Sequence, residues 1–392
     1  MVDYVAPRAA RARRRREREL EVRGFVRRLD WTLLLAVATL VGMGLWAIDG
    51  ITRFDIEGDS NYYVVRQAAY AALGTVGLLV ATVVDPDLYR RHKRAVYGLT
   101  IGLIVAVALL GAVERGSRRW IDLGFFRFQP SEFGKLLLIL FLAALLADRT
   151  RRLREARTVL TTIGLALVPI ILVFLQPDIG TALVYVSATA AVLFVAGVRW
   201  THLAALGTTA LVATVSILWL LPAADVHVLK EYQTERLTAF TNPDDDPGGA
   251  TYNANQSLTA VGSGGVSGRG VLGASQTRLD YLPEHHTDFA FASFAEQRGF
   301  VGAALLLGLY LLVVWRGLRI VTRARDAFSA IVAGGIVGAF LFQVFVNVGM
   351  TMGIAPITGI PLPFVSVGGS ALITNLTAVG VLLAICARGQ SE

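Results

Sequence analysis

The stretch Thr251–Phe300, TYNANQSLTAVGSGGVSGRGVLGASQTRLDYLPEHHTDFAFASFAEQRGF, decides how the rest of the chain is read. It is the one long segment too polar and too glycine-rich to cross a bilayer in a chain that is otherwise apolar. On both sides of it lie long apolar runs. A hydrocarbon core about 30 Å thick takes roughly 20 apolar residues per helix, and only helices and closed barrels satisfy their backbone groups there. With 54% hydrophobic and 17% charged residues among 392, the chain falls short of the about 25% charged residues of a soluble domain. It reads as a polytopic membrane protein, and runs this continuous favour helices over a barrel.

The fold class is therefore all-α, with about ten transmembrane helices expected at 31–49, 62–84, 95–113, 132–147, 159–175, 179–196, 201–221, 299–315, 329–348 and 371–387. An even number of spans puts both termini on one side. The tails and loops on the N-terminal side hold 25 of the 37 lysines and arginines, so the positive-inside rule makes that side cytoplasmic. The expected organisation is an arginine-rich cytoplasmic tail, 1–30, a membrane domain, 31–388, and a short cytoplasmic C-terminus, 389–392. Within the membrane domain, loop 222–298 between spans seven and eight is a folded extracytoplasmic cap, since loops of that length rarely lack structure of their own. The ten arginines of the first 29 residues hold the N-terminus inside. Cys386 stands alone, which excludes a disulfide framework within one chain.

Polar segments 114–131, 176–178, 222–298 and 349–370 then share the outer face. In the first, Arg118-Arg119-Trp120 and Arg127-Phe128-Gln129-Pro130-Ser131-Glu132-Phe133-Gly134-Lys135 gather cations beside an indole where the topology does not call for positive charge. Such a cluster suits a phosphate-bearing lipid headgroup. Ser131 is placed to cap the next helix, and Glu132 and Lys135, three apart, share one of its faces. Asp178 follows Pro177 at a sharp turn, where an acid complements the dipole of the helix it begins. The run Gly349–Gly369 is apolar but broken by proline and glycine, which predicts a re-entrant loop buried against protein. The glycines at 262, 264, 265, 268 and 270 permit tight turns or close approach to a bulky ligand. A dinucleotide fingerprint at Gly268–Gly273 lacks the βαβ unit it needs and is set aside. Three aspartates at 244–246 read as a solvated turn rather than a calcium loop. His285 and His286 read as loop polarity, because adjacent histidines point in different directions on most backbones. Asp288, just before the apolar run resumes at Phe289, is the carboxylate best placed for acid–base chemistry at a membrane surface.

Taken in order, RRWIDLG, RFQPSEFGK, QPDIGTAL, YQTERLTAF, YNANQSLTAVGSGG, LDYLPEHHTDFAF and NVGMTMGIAPITGIPLPFVSVGGSAL resemble the SEDS family of shape, elongation, division and sporulation proteins, over about residues 30 to 388. Gly359–Phe364 and the Gly-Ala-Ser-Gln after Leu272 look more like its elongation branch than its division branch. Val367, Ala290 and Gln297 depart from the usual pattern at positions without a catalytic role.

The resemblance implies a peptidoglycan glycosyltransferase of the bacterial cytoplasmic membrane, polymerising lipid II on the extracytoplasmic face. It implies a class B penicillin-binding protein and other membrane proteins of the elongation machinery as partners, and no nucleic acid. It places the essential acid at Asp288 and substrate contacts at Arg119, Trp120, Arg127, Glu132, Lys135 and Asp178, with Arg66 a further match. No resident metal is implied, although a divalent cation assisting pyrophosphate departure would suit the chemistry. The rival readings are a flippase for a lipid-linked precursor and a non-catalytic scaffold.

Overall fold

The computed structural model describes residues 24–389 except 57, 115–116, 123, 125, 217–219, 221, 223–239 and 241–248. Residues 1–23 of the arginine-rich tail, the 244–246 aspartates, most of YQTERLTAF and residues 390–392 lie outside the described residues.

The apolar runs form helices α1 (Trp31–Ile51), α2 (Tyr62–Val83), α4 (Lys93–Leu110), α5 (Pro130–Ala147), α6 (Ala156–Leu175), α7 (Ile179–Val195), α8 (Trp200–Val215), α12 (Ala290–Thr322), α13 (Ala327–Thr351) and α14 (Gly369–Gly389). Eight of these are long and apolar enough to cross a bilayer by themselves, and α7 and α8 are shorter apolar helices. Short helices α3 (Pro86–Arg91), α10 (Gly270–Gly273) and α11 (Ser275–Arg278), the polar α9 (Gly249–Ser263) and a small antiparallel sheet of β1 (Ala112–Glu114), β2 (Ser117–Asp122) and β3 (Arg127–Phe128) occupy the connections.

Helix α5 is the axis of the bundle. Nearly every residue from Leu136 to Ala147 is buried, and α4, α13, α7 and α14 pack around it. The most extensive helix pair is α14 on α2. It is made close by Gly74 and Gly380, where an added Cβ would meet Leu376 at 2.5 Å and the Leu78 carbonyl at 2.3 Å. Leu73, Val76, Leu79, Val80 and Val83 on the opposite side of α2 are exposed, as side chains facing lipid must be in a helix with its backbone bonds satisfied internally. At the predicted cytoplasmic end Arg316 reaches Asp30 with Nε and Nη2, 2.6–3.1 Å away, tying α12 to the start of α1.

The third and eighth spans show the differences from the sequence expectation that bear on the outer face. The third span stops at Leu110 because the chain turns at Gly111 into β1. The eighth begins at Ala290 instead of 299, with a kink at Gly299 (φ 66°, ψ −167°) separating its two halves. Glu296, Gln297 and Arg298 hide this first half from a hydropathy reading. Glu296 is satisfied by α11, as described below, Gln297 Nε2 donates to the Gly50 carbonyl at 3.0 Å, and Arg298 lies 3.6 Å from the centroid of the Trp46 ring.

Candidate active site

The outer face is organised by the segment between α13 and α14. Pro356, Pro361 and Pro363 deprive residues 352–368 of amide donors, so no helix forms there. Side chains from other elements, and Ser366 within the segment, supply hydrogen bonds in its place. Gln67 donates from Nε2 to the Ser366 carbonyl (3.1 Å) and accepts at Oε1 from the Gly368 amide (3.3 Å). Ser366 Oγ accepts from the Leu362 amide at 2.9 Å, Asn347 Nδ2 donates to the Ile360 carbonyl at 2.8 Å, and the Tyr310 hydroxyl donates to the Pro363 carbonyl. Phe364 takes a left-handed φ of 69°, and an added Cβ at Gly44 of α1 would sit 2.3 Å from its carbonyl. Residues 362–366 of the segment are buried against protein, as a non-helical backbone at membrane depth has to be, while 352–354 are exposed.

Asp288 belongs to the turn 283–289 that leads into α12. Glu284, at φ 54°, is its hub: its carbonyl accepts from the amides of Thr287 (3.1 Å) and Phe289 (3.2 Å), and its Oε2 accepts from Thr287 Oγ1 at 2.7 Å. Asn347 Nδ2, already bonded to Ile360, also donates to the Asp288 carbonyl at 2.9 Å. The Val367 amide donates to the His286 carbonyl at 2.9 Å. Asp288 is half-buried and Phe289 is buried against Leu282, Met350 and Ile357. The carboxylate thus precedes the helix, which starts at Ala290 with Phe289 as N-cap and no side-chain capping bond.

The cationic loop divides into two groups. Alternation along β2 sends Arg119 to one face and Arg118 and Trp120 to the other. Arg119 turns inward, donating from Nε to the Gln176 carbonyl at 3.0 Å and from Nη2 to the Pro177 carbonyl. These carbonyls follow the last turn of α6, where a cation offsets unsatisfied acceptors and the helix dipole. Lys135 and Glu132 are buried and paired with each other at 2.6 Å, with Gln343 Oε1 3.4 Å from the ammonium. Arg118 and Arg127 are exposed and Trp120 is half-buried. Arg127 faces Asp122 across the β2–β3 pair. Asp178 is the N-cap of α7: Oδ1 accepts from the Thr181 amide at 3.1 Å, and Oδ2 from Gln129 Nε2 at 3.0 Å. Ser131 is not a cap. The helix begins at Pro130 with Gln129 as N-cap and no side-chain capping bond, and the Ser131 carbonyl accepts from the Tyr185 hydroxyl at 2.7 Å. Arg66 lies over the Tyr62 ring, 4.8 Å from its centroid, in the first turn of α2.

Both regions rest on the proline-rich segment. A Cβ at Gly180 would lie 2.6 Å from the Thr358 carbonyl, which brings the Asp178 turn against residues 358–360, and Ile360 is joined through Asn347 to Asp288. Ser370 Oγ accepts from the Gln129 amide (2.8 Å) and donates to the Arg127 carbonyl (3.1 Å). A continuous path of bonded backbone therefore links the cationic loop to the carboxylate turn.

Several residues of this site have no signal in local sequence. Asn347, Gln67 and Gln129 are ordinary polar residues until their long-range partners are known. Glu296, fully buried, caps α11: its carboxylate accepts from the amides of Gln276 (2.9 Å) and Thr277 (3.0 Å) and from Thr277 Oγ1 (2.7 Å). The glycines of the quoted stretch make room for this same helix. A Cβ at Gly264 would lie 2.2 Å from the Ala295 carbonyl, and one at Gly268 2.3 Å from the Gln297 carbonyl. The close approach they permit is to the chain's own backbone. His285 and His286 do present their rings at a steep angle, 77°, yet both reach Asp55 in the loop after α1. For His285, burial opposes the charged form, but hydrogen bonding to Asp55 and its charge outweigh it and raise the pKa. For His286, burial and the neighbouring His285 lower it. Asp55, His285 and His286 are the metal-capable cluster among the described residues.

Fold and site together define a multi-pass helical membrane protein carrying a carboxylate and a cationic loop on one non-helical segment. The chain belongs to the FtsW, RodA and SpoVE family of cell cycle proteins, whose model matches residues 27–390. It is 37% identical over 359 residues to peptidoglycan glycosyltransferase MrdB of Escherichia coli K12, covering 91% of this chain and 93% of that one. It is 37% identical over 354 residues to stage V sporulation protein E of Bacillus subtilis, covering 90% and 93%. Among solved structures, a chain of a peptidoglycan synthase complex that coordinates polymerization and crosslinking matches with a TM-score of 0.78 and 30% identity, covering 93% of this chain and 99% of that one. Rod shape determining protein RodA of Thermus thermophilus matches with a TM-score of 0.66 and 29% identity, covering 93% and 98%.

Proposed function

We propose that this protein, a peptidoglycan glycosyltransferase of cell elongation, uses Asp288 as general base at the outer surface of the bacterial cytoplasmic membrane. The substrate is lipid II. The carboxylate takes the proton of the 4-hydroxyl on the acceptor's terminal N-acetylglucosamine as that oxygen attacks the anomeric carbon of the donor strand. The bond to the polyprenyl pyrophosphate breaks with its electron pair on the leaving group, and configuration inverts. What carries the reading is the setting of Asp288: its carbonyl is held by Asn347 and its turn by Val367, so the carboxylate sits on a rigid edge shared with the cationic loop.

The exposed Arg118 and Arg127 supply positive charge for the departing pyrophosphate, where preorganised donors contribute most, and Trp120 and Arg66 line the sugar and lipid approach. Arg119, Glu132, Lys135 and Asp178 act through the loop and turn they brace. A divalent cation at the pyrophosphate finds no ready carboxylate among the buried ones there: Asp178 is engaged by Thr181 and Gln129, and Glu132 by Lys135. That charge is therefore assigned to the guanidinium groups. The similarity to a chain of a peptidoglycan synthase complex supports a crosslinking partner of the class B penicillin-binding type.

The test is purified protein with lipid II, with and without Asp288→Asn. Wild type forms glycan polymer and the folded Asn variant loses about 10²–10⁴-fold in rate, as removal of a positioned base does. Undiminished polymer from that variant removes Asp288 from the chemistry. Transport of a lipid-linked precursor in vesicles without polymer would favour a flippase.

A further inference from the structure

The loop after α1 and the turn before α12 are 230 residues apart in sequence and meet at one carboxylate. His285 Nε2 lies 3.1 Å from each oxygen of Asp55, and His286 Nδ1 lies 3.6 Å from Asp55 Oδ2. One donor atom from each of the three residues falls within 4.8 Å of the other two. Nitrogen and oxygen ligands at their usual distances around a tetrahedral zinc ion stand about 3.4 Å from one another, and the two separations to Asp55 bracket that value.

The hydrogen bonding around the rings prepares them as ligands. His285 Nδ1 faces the Leu282 carbonyl at 3.1 Å and Asp280 Oδ1 at 3.3 Å. Two acceptors there hold a proton on Nδ1 and leave Nε2 as the nitrogen turned toward Asp55, the outer-shell arrangement that fixes a metal-binding tautomer. Without a cation a proton fills the space between Nε2 and the carboxylate, and a divalent cation binds by displacing it. His286 Nδ1 is buried and has no hydrogen-bond partner among the described residues. Its ring is held by Tyr63, with centroids 4.7 Å apart, and the carbonyls of both histidines are pinned by Ser293 Oγ and the Val367 amide. The side chains are shielded but reachable: His285 is 6% exposed, Asp55 15% and His286 20%.

We propose that Asp55, His285 and His286 bind a divalent first-row transition cation of the zinc class, which fastens the loop after α1 to the turn that carries Asp288. Two imidazoles select against magnesium and calcium, which take oxygen ligands. Three protein ligands leave a fourth position open. The site goes beyond the glycosyltransferase reading and does not depend on it.

The test uses full-length protein purified without a polyhistidine tag, stripped with a chelator and titrated with cobalt(II), then zinc(II). One equivalent of cobalt gives visible d–d absorption of tetrahedral type, zinc displaces it, and zinc raises the Tm. Asp55→Asn, His285→Gln and His286→Gln each lose more than about 100-fold in affinity, beyond the 10–100-fold typical of a lost outer-shell partner. His202→Gln, on α8, binds as wild type does. Magnesium at millimolar excess does not compete. Stripped, folded wild type that takes up no stoichiometric cobalt overturns the proposal, and so does binding that survives Asp55→Asn or His285→Gln. The wild-type titration decides even if a variant fails to fold. Polymer formation by a metal-free protein would overturn nothing in the glycosyltransferase reading.

Discussion

The cationic loop and the carboxylate turn lean on the same proline-rich segment, and they are built by different means. In the loop, inward-turned charges are committed to other groups of the fold: Lys135 pairs with Glu132 three residues away, Asp178 accepts from the Thr181 amide and from Gln129, and Arg119 binds the Gln176 carbonyl. In the turn, the determining contacts come from afar, from Asn347, Val367 and Asp55. The first kind of site satisfies its charges before any substrate arrives. The second concentrates half-buried groups whose orientation is fixed by distant elements, so the position of the Asp288 carboxylate depends on the whole fold rather than on its own helix.

If the loop's buried charges are committed to the fold, removing one should cost stability before it costs chemistry. Lys135→Met leaves Glu132 buried and uncompensated in the central helix. Breaking such a pair costs roughly 3–5 kcal/mol, read as a lower Tm and a lower folded yield, and the double variant Glu132→Gln/Lys135→Met recovers most of it. A single variant with wild-type stability and a selective loss of lipid II binding would instead make Lys135 a direct substrate contact.

On the other side of the comparison, Glu296→Gln replaces an acceptor of three hydrogen bonds with a group that turns an NH2 toward donors. An unsatisfied buried donor costs about 1–3 kcal/mol. The effect should be local, with faster amide exchange at 275–278 and little change in α5. Equal loosening of α5 would mean that the two regions share one cooperative unit.

The same contrast decides what was legible in the sequence. Hydropathy gives the spans, because a bilayer demands long apolar helices. Spacing gives the Glu132–Lys135 pair, because residues three apart share one face of a helix, and an acid just after a proline turn gives the Asp178 cap. Proline density gives the non-helical segment 352–368. None of these rules reaches Asp55, whose partners lie 230 residues on, or Glu296, whose charge conceals the first half of α12 and whose partners, Gln276 and Thr277, belong to the short helix α11. The quoted glycines were readable as places of close approach, but the body that approaches is helix 290–299, which the hydropathy reading had assigned to a loop. Inward commitment of Arg119 was hidden as well, since strand alternation fixes opposite faces for residues 119 and 120 only once β2 is known to be a strand.

Arg119 and Arg127 offer the finest test, because both carry the same charge into different surroundings. Arg119 spans two carbonyls at the end of α6, and a lysine cannot bridge both with the fork of a guanidinium. Arg119→Lys should therefore cost about 1–2 kcal/mol, raise amide exchange at 178–181, and raise the KM for lipid II a few-fold with kcat nearly unchanged. Arg127 is exposed, and if it serves the departing pyrophosphate mainly as a charge, Arg127→Lys should stay within about two-fold of wild type in kcat/KM, whereas Arg127→Gln should lose more than Arg119→Lys does. If Arg119→Lys leaves both exchange and KM untouched, the turn at Gln176–Asp178 holds itself, and the distinction between a charge that braces the site and a charge that meets the substrate disappears at that position.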